Sequence, residues 1–145
     1  MNFCKTLFIL VMILNVTKSF GQEIAGHLWE NRVLLVLTTK TNLATYKNQV
    51  KELQSDIEGL NDRKLVIYHS TPTKYKVNGN NWKNSNELYK RFKKTTSPFE
   101  IILIGLDGGN KLHKTELVKI SELFSIIDAM PMRSNEMKRK NSEKY

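Results

Sequence analysis

The chain has 145 residues, room for one domain around one core. Hydrophobic residues make up 40% and charged residues 26%, a balance that excludes a chain disordered throughout. The formal charge of +9 favours anionic partners such as nucleic acid, lipid head groups or acidic polysaccharide, and carries no information about fold.

The N-terminus reads as a targeting segment. Lys5 supplies a positive charge, Leu7 to Leu14 is unbroken apolar sequence, and Asn15, Thr17 and Lys18 turn the chain polar. Ser19 and Gly21 put small residues where a signal peptidase reads, so cleavage is expected between Gly21 and Gln22, with 1–21 as the signal peptide. The apolar run is well short of the ~20 residues that span a bilayer, which argues against a retained anchor. No second run of spanning length follows. The expected location is therefore outside the cytoplasm, periplasmic or secreted. Cys4, the only cysteine, lies in this segment. Its removal with Lys5 and Lys18 lowers the formal charge from +9 to +7 and leaves no thiol, disulfide or cysteine-based zinc site.

Arg32 to Leu37 is a β-rich apolar run without alternation, as in a strand buried on both faces. Leu43, Tyr46, Val50, Leu53, Ile57 and Leu60 recur at steps of three and four and predict one helix. Thr41 or Asn42 can cap its start, and Gly59 can supply a left-handed end. Lys64 to His69 reads as a second strand, Thr71 to Lys83 as a polar loop, and Asn84 with Glu87 as a capping box opening a short helix. Pro98 precedes a third strand, Phe99 to Ile104. Asp107-Gly108-Gly109-Asn110 predicts a tight turn into an antiparallel strand, Lys111 to Lys114. Ile120, Leu123, Phe124 and Ile127 mark a last helix that Pro131 stops. The order β-α-β-α-β-β-α is that of a thioredoxin-like α/β fold: a mixed sheet with helices on both faces, spanning 22–132, followed by a basic tail, 133–145. In that fold Pro98 occupies a position that usually carries a cis proline.

The run from Ile101 to Leu112 (IILIGLDGGNKL), the run from Ile127 to Arg133 (IDAMPMR) with Glu136-Met137, and the run from Trp29 to Val36 resemble blocks of the family catalogued as domain of unknown function 4174. The resemblance covers essentially the whole mature chain. It implies a peroxiredoxin-like fold and an exported or extracellular protein, as in the family's bacterial exported members and its sushi-repeat animal members. It implies no mechanism. Leu106 stands where the family block usually has lysine, which weakens any ligand-gripping role there.

In thioredoxins and peroxiredoxins the reactive thiol follows the first core strand, at a helix N-terminus that favours thiolate. The matching stretch here, Thr38 to Asn42, holds hydroxyls and an amine but no sulfur. Thiol redox is thereby excluded for the mature protein, since a hydroxyl cannot take up and release oxygen as sulfur does. His27, His69 and His113 lack metal-ligand spacing. No nucleotide or acyl-transfer motif appears, so no cofactor, metal or catalytic residue is expected. The candidate ligand-binding residues are Asp107, Lys111, Arg133 and Trp82. Asp107 also suits a turn-stabilising role, and Arg133 a pair with Asp128. Trp29 reads as core edge. In the tail, Lys138, Arg139, Lys140 and Lys144 are candidates for polyanion contact.

The expected function is a non-catalytic exported binding module for an anionic envelope or matrix polymer, such as an acidic polysaccharide, or for another protein. The alternative is an enzyme using Asp107 and Arg133 in a peroxiredoxin-like cleft. Nucleic acid is disfavoured, because export removes the chain from most of it.

Overall fold

Arg32–Thr38 forms strand β1, and all of it is buried because both faces of the sheet are covered. In the computed structural model, residues 20–143 are described; most of the expected signal peptide, and Lys144, lie outside the described residues. β1 runs parallel to β2 (Leu65–Ser70) and antiparallel to β5 (Phe99–Ile104). With β3 (Lys74–Val77), β4 (Lys83–Asn84) and β6 (Asn110–Lys114), they form one six-stranded mixed sheet of order β4-β3-β2-β1-β5-β6. The architecture is α/β.

Strand alternation sorts the side chains into two cores. Leu34, Val36, Ile67, Ile101 and Leu103 face α2 (Ala44–Gln54), α3 (Ile57–Asp62) and α5 (Ile120–Asp128), which contribute Tyr46, Leu53, Leu60, Leu123 and Ile127. Val33, Leu35, Leu37, Ile102 and Ile104 face the other way. They meet Leu88 of α4 (Glu87–Phe92) and Ile24 of α1 (Phe20–Ala25). The expected cut after Gly21 falls inside α1 and leaves Ile24 in place. Gln49 ties α2 to the approach of α5: its amide donates to the Val118 carbonyl at 2.9 Å and accepts from the Val118 N–H at 2.8 Å. The Glu52 carboxylate accepts from the N–H of Ile120, the first residue of α5.

Several local expectations are corrected. The long helix is two, because Asp56 breaks the run and its carboxylate accepts the Gly59 N–H at 2.7 Å as the cap of α3. α2 starts after Leu43 with no side-chain cap, so neither Thr41 nor Asn42 plays that part. The left-handed residue after α3 is Lys64, not Gly59. The polar stretch after β2 contains β3 and β4 rather than only loop. At α4 the helix begins at Glu87, two residues too late for a capping box with Asn84, and Ser85 Oγ accepts the Glu87 N–H instead. No peptide bond among the described residues is cis, that before Pro98 included. Pro131 does not end the chain's helical part. It opens α6 (Pro131–Ser142), at the first helical position where proline's missing N–H costs nothing.

Gly59 is set by contact rather than by backbone freedom. A Cβ there would lie 2.5 Å from Asp56 Oδ2 and 2.6 Å from a ring carbon of Phe124, the residue that brings α5 onto α3. Alanine would gain about 1 kcal/mol of helix propensity against an overpacking cost of 1–3 kcal/mol. Gly59→Ala is therefore expected to lower stability by roughly 1 kcal/mol in urea denaturation. A more stable variant would mean that Phe124 retreats freely.

Candidate functional site

β1 and β2 are parallel, so their carboxyl ends open at the same edge of the fold, where α/β sheets commonly bind ligands. Beyond β1 the chain is held locally: Thr38 Oγ1 donates to the Lys40 carbonyl at 2.9 Å, and the Thr39 N–H to the Pro98 carbonyl at 2.9 Å. Thr39, Lys40, Thr41 and Asn42 face Thr71 to Lys74 across a hollow. A second hollow adjoins it, with Tyr46, Lys47, Val50 and Lys51 of α2 on one wall and Lys76 and Trp82 on the other.

Lys47, Lys51, Lys74 and Lys76 thus lie about one half-buried tryptophan, with Lys40 in the adjoining hollow. The ammonium groups of Lys74 and Lys76 lie 5.0 and 5.2 Å from the Trp82 ring centroid, within cation–π range. No carboxylate lines either hollow, and among the described residues none of these lysines forms an ion pair. Sequence reading singled out Trp82 but missed the lysines, which come from three elements. Lys47 and Lys51, one helical turn apart, were the available signal.

Val50 and Lys76 also border a deeper cleft of about 250 Å³ between α2, α3 and the β2–β3 hairpin. Its walls are Leu53, Ile57, Leu60, Leu65 and Ile67, and His69 lies at the same end as Lys76, its register partner on β3. His69 is only 6% exposed. Burial, with the positive charge of Lys76, pushes its pKa down to about 3, so the ring is neutral. Burial also pushes the Tyr46 hydroxyl up to about 12. That hydroxyl lies 3.2 Å from His69 Nδ1.

Arg133 has a structural position. With Asp128 it joins an ion-pair network linking α3, α5 and α6 to the start of β1. Its guanidinium binds the Asp62 carboxylate, donates to the Asp62 carbonyl at 2.8 Å, and reaches Asp128 and Glu136 at 3.3 Å each. Arg63 pairs with Asp128 at 2.6 Å and lies over the Phe124 ring. Arg32, fully buried, donates to the Arg63 carbonyl at 2.9 Å and reaches Glu136 at 3.3 Å, while its Nε has no partner. Hydrogen bonds from Lys140 and Arg133 draw the Asp62 pKa down to about 2. Burial would raise Asp128, but Arg63 and Arg133 outweigh it and hold that carboxyl low.

Asp107 and Lys111 pair with each other at 2.8 Å, and Asp107 Oδ1 accepts the Gly109 N–H in a turn where Gly108 takes φ 77°. Asp107 and Arg133 share no partner. In α6, Lys138, Arg139 and Lys140 are exposed, and Lys140 is committed to Asp62. The expected solvated tail is thus helical as far as Ser142 and anchored through Arg133 and Glu136. Trp29, expected at the core edge, is 62% exposed at φ 65°, its N–H donating to the Leu106 carbonyl. His27 meets the Tyr68 hydroxyl at 2.8 Å, and His113 meets Glu100 at 2.8 Å. No group of three or more possible metal ligands occurs among the described residues. No helix among them is long and apolar enough to cross a membrane.

The runs that resembled a family thus supply Arg32, Asp128, Arg133 and Glu136 to one network, and Asp107 and Lys111 to one turn. The family described as Domain of unknown function (DUF4174) matches residues 23–136. The chain belongs to this family. The match takes in every residue of the lysine groove and the cleft, and ends at Glu136, the network's last acidic member. No match was found among curated proteins or among solved structures.

Proposed function

We propose that this chain is a non-catalytic binding module of thioredoxin-like build, working outside the cytoplasm on an acidic envelope or matrix polymer. The single observation that carries the reading is the groove of five lysines that runs past Trp82 at the carboxyl ends of β1 and β2, with no ion pair to these lysines and no carboxylate in its lining among the described residues. Such a groove attracts polyanions and offers an aromatic face for stacking. The thioredoxin-like reading draws on the central order β2-β1-β5-β6, with β1 parallel to β2 and an antiparallel β5–β6 pair before α5. Beyond β1, where that fold places its thiol, stand Thr38 to Asn42. Asp107 and Arg133, the residues an enzyme reading would use, are each taken up by structural ion pairs.

Heparin binding is expected to weaken with salt, with a slope of roughly −4 on a log-log plot if about five lysines each release a counterion. Lys47, Lys51 and Lys74 replaced together by alanine should flatten that slope by about two. The same change at Lys138, Arg139 and Lys140 should leave most of it. Titration calorimetry across a salt series decides: the opposite ranking moves the contact to α6, and binding indifferent to salt removes the polyanion reading.

A further inference from the structure

The cleft beneath the lysine groove has a polarity of its own. Leu53, Ile57, Leu60, Leu65 and Ile67 supply its apolar wall, with Gln54, Asn61 and Asn78 between them; His69 and Lys76 share one end, and no described residue lining it is a carboxylate. His69 is more than nine-tenths buried, and among the described residues only its Nδ1 has a partner. The Tyr46 hydroxyl and His69 Nδ1 share one hydrogen bond at 3.2 Å, and with the hydroxyl as its donor the ring proton belongs on Nε2. In that tautomer the ring carries an N–H with no acceptor among the described residues, and Lys76, its register partner on β3, lines the same cleft. An N–H donor and a cation on the wall of a largely apolar trough complement an acid group attached to an apolar body.

We propose that this cleft binds a small amphiphilic carboxylic acid, with its carboxylate on His69 Nε2 and Lys76 and its hydrocarbon tail along Leu53, Ile57, Leu60, Leu65 and Ile67. At roughly 30 Å³ per heavy atom, the scale of a water molecule, 250 Å³ accommodates about eight to ten atoms, the size of octanoate. The tail points toward Ile57, which is 57% exposed, so a longer chain emerges there into solvent. This site goes beyond the polymer reading, because its specificity rests on His69 and the apolar walls rather than on the outer lysines.

Octanoate, octanol and acetate titrated into the mature protein test it by calorimetry and by NMR of the histidine rings. Octanoate is expected to bind one to one, at least about tenfold tighter than octanol, which has the tail without the charge, or acetate, which has the charge without the tail. The His69 ring signals should shift, while those of His27 and His113 stay. His69→Phe and Lys76→Gln should each weaken octanoate about tenfold and leave octanol unchanged; if His69→Phe does not fold, Lys76→Gln carries the comparison alone. Replacement of Lys47, Lys51 and Lys74 should leave octanoate binding intact while weakening heparin, so the two sites fail separately. Octanoate no tighter than octanol, or undiminished by the foldable variants, overturns the assignment.

Discussion

Arg133→Ala is expected to destabilise the protein by about 3 kcal/mol. Breaking a buried ion pair by removing one partner typically costs 3–5 kcal/mol, because the remaining charges lose compensation. The lower end applies here, since Asp62 and Asp128 keep about a third of their side chains in water. The Asp62 carbonyl loses its donor too. For a domain of this size the thermal midpoint should drop by roughly 10 °C. Lysine should not rescue it, because a single ammonium cannot reach three carboxylates in the geometry of a guanidinium. Lys140→Ala, at an exposed pair, should cost less than about 1 kcal/mol. The acid limb of stability adds a second readout. Asp62 and Asp128 have folded pKa values below their ordinary range, so their contribution is present above about pH 4 and is lost as pH falls toward 2. Arg133→Ala should therefore show a shallower decline over that window than the parent, measured by urea denaturation at a series of pH values.

The network explains what sequence reading could reach and what it could not. β1 and β5 were legible because a strand covered on both faces must be apolar at every position, and Val33 to Leu37 and Ile101 to Ile104 are. β3 was not, because next to the two-residue edge strand β4 only Tyr75 of Lys74-Tyr75-Lys76-Val77 is fully buried, and the run resembles a polar loop. The break at Asp56 was written in the sequence as a capping residue. It was overridden because the three-and-four spacing continues across it to Leu60. The Arg133–Asp128 pair could be anticipated from its short separation. Asp62, Arg63 and Arg32 could not, since topology brings them to α5 and α6 across 65 to 104 positions. The lysine groove and the His69 cleft fail to show for the same reason. Tyr46 and His69 meet only because β2 returns parallel to β1 beneath α2.

Glu100→Ala is expected to cost about 3–5 kcal/mol, the range for removing one partner of a buried charge pair, and to loosen the chain between α4 and β5. Glu100 lies on the second face of the sheet with no exposed surface. Its carboxylate accepts from Lys93 at 2.6 Å, from the N–H and hydroxyl of Thr95 at 2.7 Å each, and from the Lys94 N–H at 3.1 Å; His113 Nε2 lies 2.8 Å away. Alanine removes the acceptor from all of these groups; Lys94, Thr95 and His113 are exposed and turn to water, whereas Lys93 is nearly buried and loses its charge partner, so the lower end of that range applies. Burial alone would push this carboxyl up. The hydrogen bonds from Lys93, Thr95 and His113 outweigh it and hold it at about 2. Its stabilisation is thus complete above the ordinary glutamate range near pH 4 and is lost as pH falls toward 2. Glu100→Gln keeps the shape and one accepting oxygen but sets its amide against donors, so it should cost about 2 kcal/mol and remove this residue's share of the acid dependence. The loop anchored here ends at Pro98, whose carbonyl accepts the Thr39 N–H beside the lysine groove. Amide hydrogen exchange should therefore speed up at Lys94 and Thr95 in Glu100→Ala, and at Thr39 across the strand boundary. Unchanged exchange at Lys94 and Thr95, or a loss below about 1 kcal/mol, would show that the buried carboxylate does not hold this segment.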